Sequence, residues 1–161
     1  MSGEYEPFLT SLNDQRDHVL GTLDGLPEEA LRRPVLPSGW TCLGLVRHLA
    51  LDVERFWFRS VIAGEKVELC VADEAWRVGR DEGSAEVLGL YRQEAKRADE
   101  IISRTPLNAV PAHWPQDWPD SAKPASLREV LLHVISETAC HAGHLDAVRE
   151  LIDGRKWLVL T

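Results

Sequence analysis

Residues 126–154 read SLREVLLHVISETACHAGHLDAVRELIDG. Ser126 stands before an apolar run with Glu129 three residues on, the pattern of a capping box, and Asp153-Gly154 closes the run. Between these ends the apolar residues repeat at steps of three and four, which predicts one long helix. Leu127, Val134, His141 and Val148 form one row. Leu131, Thr138, Leu145 and Ile152 form the next, and Val130, Glu137, His144 and Leu151 a third. The three rows are adjacent and are expected to make up the buried face. Each is aliphatic at both ends and polar in its middle. A carboxylate inside a helical core costs several kcal/mol, on the order of 2–7, unless it is paired, protonated or bound to a metal.

Three further helices are expected upstream. The first runs from about Glu6 to Leu23, with Phe8, Leu12, Val19 and Leu23 near a 3.6-residue period, and Gly25 and Pro27 end it. A short helical turn and a loop follow in PEEALRRPVLPSGW. The second long helix starts near Trp40 or Thr41, with Ser38 or Thr41 as N-cap, and stops at Gly64. The third spans about Ser84 to Arg104, with Val87, Leu88, Tyr91, Ala95, Ala98, Ile101 and Ile102 on its apolar face. Residues 65–80 look irregular. Residues 105–125 form a loop with five prolines, Trp114 and Trp118, suited either to a functional role or to covering one end of the core. The tail RKWLVLT reads as a short strand or a docked extension. Four amphipathic helices with little strand signal make an all-α four-helix bundle with long crossover loops, a single domain over 1–161.

Bulk properties agree with that class. The chain has 161 residues and a net charge of −8, which disfavours nucleic acid and anionic membranes as partners. Its three cysteines, Cys42, Cys70 and Cys140, are odd in number and form no CxxC, so neither a disulfide framework nor a cysteine zinc site is expected. No stretch approaches the roughly 18 apolar residues of a membrane span, and the first residues lack the pattern of a signal peptide. These features point to a reduced cytoplasmic protein.

Glu137 and His141 are four apart and His144 three beyond, so their side chains stack along one helix edge. That spacing lets two groups converge on one ion, as bundle cores do when they build metal sites. A third ligand has to come from another helix. His48 in LVRHLALD is the best candidate, at the edge of the second helix's apolar face, with Asp52 one turn on. Three ligands from His48, Glu137 and His141 would leave positions open for water, the pattern of a catalytic site, and imidazole with carboxylate suits zinc, nickel, iron or manganese. Other readings of the same residues are open. Glu137 can pair with Arg47 or Arg55 instead, Asp52 can be merely solvated or salt-bridged, and His144 can support Glu137 or a water from outside. His133 falls off the stripe, and His18 and His113 have no pattern around them. Trp57 is nine residues beyond His48, on the opposite side of an ideal helix, and suits an interface or the interior.

PSGWTCLGLVRHLALDVERFWF (37–58) and LLHVISETACHAGHLDAVRELIDG (131–154) resemble the two signature helices of the DinB superfamily, near its mycothiol-dependent maleylpyruvate isomerase and S-transferase branch. The resemblance implies a DinB-like bundle in an up-down-down-up arrangement. It implies a divalent metal, zinc or nickel, held by His48, Glu137 and His141, and a low-molecular-weight thiol such as mycothiol as cosubstrate. His144 stands where many members have Gln, and Cys140 where the subgroup has Arg; His144 either joins the ligands or acts as a general base. The activity implied is a thiol-dependent transferase or isomerase acting on a small-molecule electrophile, and a homodimer is implied as well. A metal-dependent hydrolase and a non-catalytic metal-binding stress-response module are the alternatives.

Overall fold

A computed structural model describes residues 4–157 of the chain. Its helices are α1 (Glu6–Leu23), α2 (Glu28–Arg32), α3 (Cys42–His48), α4 (Ser84–Arg104) and α5 (Leu127–Asp153), and no strand occurs among the described residues. α1 packs along α5, and α4 packs along α3 and its continuation, which also meets α5. The fully buried core joins side chains of all four long elements, including Leu12, Val19, Leu45, Phe58, Tyr91, Ile102, Leu131 and Leu145. Among the described residues no helix is long and apolar enough to cross a membrane.

The helix ends follow the sequence chemistry. Thr41 caps α3 by accepting from the Gly44 N–H at 3.0 Å. At α5 the Ser126 hydroxyl accepts from the Glu129 N–H, while the Glu129 carboxylate reaches back to the Ala125 N–H at 2.7 Å. Gly154, at φ 75°, ends α5 in the left-handed conformation that glycine adopts without steric cost.

The second long helix departs from expectation. Immediately after His48 the α-helix gives way, without a break, to a π-helical segment over Leu49–Ile62. At its end the Ala63 N–H bonds to Phe58 O, five residues back, at 3.0 Å. Wider turns of about 4.4 residues in place of 3.6 change which side chains share a face. Trp57, half a turn away from His48 on an ideal α-helix, comes round to the same side.

Two buried ion pairs hold this segment. Arg16 of α1 donates to both Glu54 carboxylate oxygens at 2.7 Å and to Asp99 of α4 at 2.7 Å. Glu94 of α4 accepts from Arg55 at 2.8 Å and from Arg59 at 3.1 Å. Arg16, Glu54 and Glu94 are all buried. Isolated charges of this kind would cost several kcal/mol each, so the pairs oblige the three helices to meet in one register.

The loop after the π segment joins helices that pack on each other. Its length folds a 3-10 turn, Glu74–Trp76, over α3. Gly44 permits this, because a Cβ there would come within 2.4 Å of the Trp76 carbonyl oxygen. Arg47 pins the turn by donating to Glu74 O at 2.6 Å. Of the C-terminal tail, Arg155–Trp157 are described: Trp157 stacks on His18 at 5.4 Å, which docks this part onto α1. Residues 158–161 lie outside the described residues.

Candidate metal centre

α5 offers its polar residues from the rim of the core and not from its middle. The buried face is centred on Leu131, Thr138, Ala142, Leu145 and Arg149. Thr138 satisfies its hydroxyl within the helix by donating to Val134 O at 2.8 Å. The third sequence row turns outward along its length: Val130 is buried, Glu137 half-buried, and His144 and Leu151 exposed. The expectation that this row lies wholly in the core is therefore corrected. Arg149 takes the interior position further along, donating to Thr22 O and Asp24 O at 2.7 and 2.8 Å. Because the rim is partly hydrated, a carboxylate at Glu137 costs less than it would in the core.

At this rim α5 meets the end of α3. His48, Glu137 and His141 each present one ligand atom, all within 4.8 Å of one another. His141 Nε2 is 3.2 Å and His48 Nε2 3.8 Å from Glu137 Oε1. His48 Nδ1 meets Asp52 Oδ2 at 2.8 Å, so the carboxylate holds the Nδ1 proton and leaves Nε2 with a free lone pair. That Nε2 is buried and has no hydrogen-bond partner. An unpartnered buried nitrogen is costly. This one faces an imidazole and a carboxylate oxygen, a donor set that fits a divalent transition metal.

The surroundings favour neutral imidazole. Burial, with His48 alongside, holds the His141 imidazole below its ordinary value, although Glu137 pulls the other way. Trp76 stacks on His48 at 4.3 Å and 17° and lies 5.7 Å from His141, shielding one side of the trio.

His144 stands outside the trio. It is exposed, its Nδ1 is 3.5 Å from His141 Nδ1, and its ring is tilted 6.4 Å from Trp40. It touches His141 and not Glu137. The arginine pairings open to Glu137 are taken elsewhere: Arg47 meets Glu82 and Arg55 meets Glu94. His18 meets Asp146 at 2.8 Å, across the α1–α5 interface. His133, off the stripe, packs its ring against Trp57 at 4.6 Å.

Sequence reasoning missed the partnership of Asp52 with His48, although their i, i+4 spacing carried the signal. It also missed Trp76, which the loop after the π segment brings onto the His48 ring.

The family model for mycothiol-S-transferases matches residues 8–154. No curated protein and no solved structure matches the chain. The matched span covers nearly all of the four long helical elements and contains the His48–Glu137–His141 trio. The chain belongs to the mycothiol-S-transferase family.

Proposed function

We propose that the protein is a metal-dependent S-transferase that joins mycothiol, or a close low-molecular-weight thiol, to a small electrophile. The observation that carries this is the buried, unpartnered His48 Nε2 aimed at Glu137 and His141, in a chain of this family. His48, Glu137 and His141 are the ligands in this reading, and zinc or nickel the ion. Held by these three side chains, such an ion would supply the Lewis acidity that lowers a thiol's pKa.

The chain's own residues do the rest. Asp52 fixes the tautomer of His48, and Trp76 covers the imidazole face from water. His144 receives the thiol proton, being an imidazole open to solvent beside the ligands. The new carbon–sulfur bond forms as the electrophile's leaving group departs with its bonding pair. Cytoplasmic location and a homodimer belong to the same reading, and sedimentation velocity tests the dimer.

The test is conjugate formation between mycothiol and an alkyl halide, followed by mass spectrometry. Conjugate is expected with wild type and not with His141→Ala. His144→Ala should retain the metal and lower kcat by about 100-fold or more. If it loses the metal instead, His144 is a support for His141 and not a base. Turnover of an ester without any thiol would replace the transferase reading with a hydrolase.

A further inference from the structure

A cavity of about 620 Å³ opens directly beside the metal trio, with His48 and Glu137 in its lining. Its walls are aromatic and aliphatic: Phe56, Trp57, Trp118, His133, Val53 and Leu69. The rings support one another, with Phe56 5.1 Å from both Trp57 and Trp118, and Trp114 behind them at 5.5 Å from Trp118. Among the described residues no lysine or arginine lines the cavity. Its two carboxylates are both engaged, Asp52 with His48 and Glu137 with His141. The nearby Arg55 is held by Glu94 and Arg47 by Glu74 O and Glu82.

We infer that this cavity is the acceptor site and that it takes flat, uncharged aromatic electrophiles. The inference rests on the S-transferase reading and adds the substrate class to it. Offset and edge-on contacts with several rings favour a planar aromatic body over an aliphatic one. Along the apolar walls an anionic substituent would lose its hydration and meet no lysine or arginine. A cationic one would find both carboxylates already partnered. A sugar-bearing thiol has few hydrogen-bonding groups to meet on these walls. It approaches the trio from the other side, past exposed His144 and the half-buried Trp40, neither of which lines the cavity. The volume lies within the ~300–1,000 Å³ range of small-molecule sites.

With 1-chloro-2,4-dinitrobenzene the reaction balances simply. The thiol sulfur bonds to the ring carbon that carries chlorine, the C–Cl bond breaks, chloride leaves with the pair, and the thiol proton passes to His144 and from there to solvent.

Two measurements on the metal-loaded protein test the assignment. The first is quenching of tryptophan emission by unreactive 1,3-dinitrobenzene, with 3,5-dinitrobenzoate and a trimethylanilinium ion for comparison. Saturable quenching by dinitrobenzene is expected, at least tenfold tighter than for either charged ring. Trp118→Ala, altered at a half-exposed loop residue, should weaken it about tenfold. Leu69→Arg, at the cavity rim, should narrow the preference for the neutral ring over the benzoate about tenfold. The second is the rate of mycothiol conjugation with chlorodinitrobenzene against iodoacetamide. Trp118→Ala should lower kcat/KM for the aromatic substrate about tenfold relative to that for iodoacetamide. Equal binding of charged and neutral rings, or variants without effect on either measurement, would overturn the inference. Saturable, ring-selective binding with no conjugate from any electrophile would instead refute the transferase reading while supporting the cavity's preference.

Discussion

His48 shows how little of a side chain's role lies in its own identity. Read alone it is a histidine at the edge of an apolar face. Its role comes from Asp52 on one nitrogen and from Glu137 and His141 facing the other. Asp52→Ala should therefore weaken zinc or nickel binding by about 10–100-fold, measured by chelator competition, while far-UV circular dichroism stays unchanged. The convergence of Glu137 and His141 was legible in the sequence because both interrupt an otherwise aliphatic pattern. The buried charges were not: Arg16 and Glu54 look like solvated residues, and each finds its partner 38 positions away. Cysteine chemistry also separates at this scale. Burial pushes the Cys42 thiol up to about 11, and burial with Asp52 nearby raises Cys70, whereas Cys140 is exposed. A raised pKa leaves less thiolate at pH 8. Iodoacetamide should accordingly alkylate Cys140 first, Cys70 more slowly and Cys42 only in denaturant, as peptide mass mapping would show.

α5 was read closely because its caps and its three-four spacing are local chemistry. The segment after His48 was not, because a period of 100° per residue was assumed where the chain adopts a wider turn. That difference moves Trp57 from the far side of the helix into the cavity beside His48. What holds the wider turn is tertiary: Arg16–Glu54 and Glu94 with Arg55 and Arg59. Glu54→Ala leaves a buried guanidinium with only Asp99 and Asn13, and should cost about 3–5 kcal/mol in urea unfolding. Arg16→Met with Glu54→Leu should recover most of that loss, since the uncompensated charge goes too. The Glu74–Trp76 turn depends on Gly44 in the same tertiary way. Gly44→Ala should push the turn off α3 and move Trp76 from the His48 face, seen as a shift in tryptophan emission and weaker metal binding.

Across the whole molecule, long-range polar ties close the bundle where apolar packing ends. Arg149 reaches from α5 to the carbonyls at the C-terminal end of α1 and is steadied by Asp153 at 2.9 Å. The hydrogen bond from Arg149 holds the Asp153 carboxyl below its ordinary range. A carboxyl lowered on folding adds stability above its unfolded pKa, and that contribution disappears as pH falls through the folded value. Asp153→Asn should thus be less stable than wild type at pH 7, and the two should converge as the pH falls below the ordinary carboxylate range in urea titrations. We propose that the chain folds as one unit, so that fluorescence and circular dichroism trace a single coincident transition.

All of the chemistry proposed here depends on an ion shared between α3 and α5. The direct measurement is transition-metal content by mass spectrometry of untagged protein, for wild type, His48→Ala and His141→Ala. The account predicts about one zinc or nickel per chain in wild type and loss in both variants, one from each helix. Wild-type protein that carries no metal and takes up none on titration with zinc, nickel or manganese would contradict it.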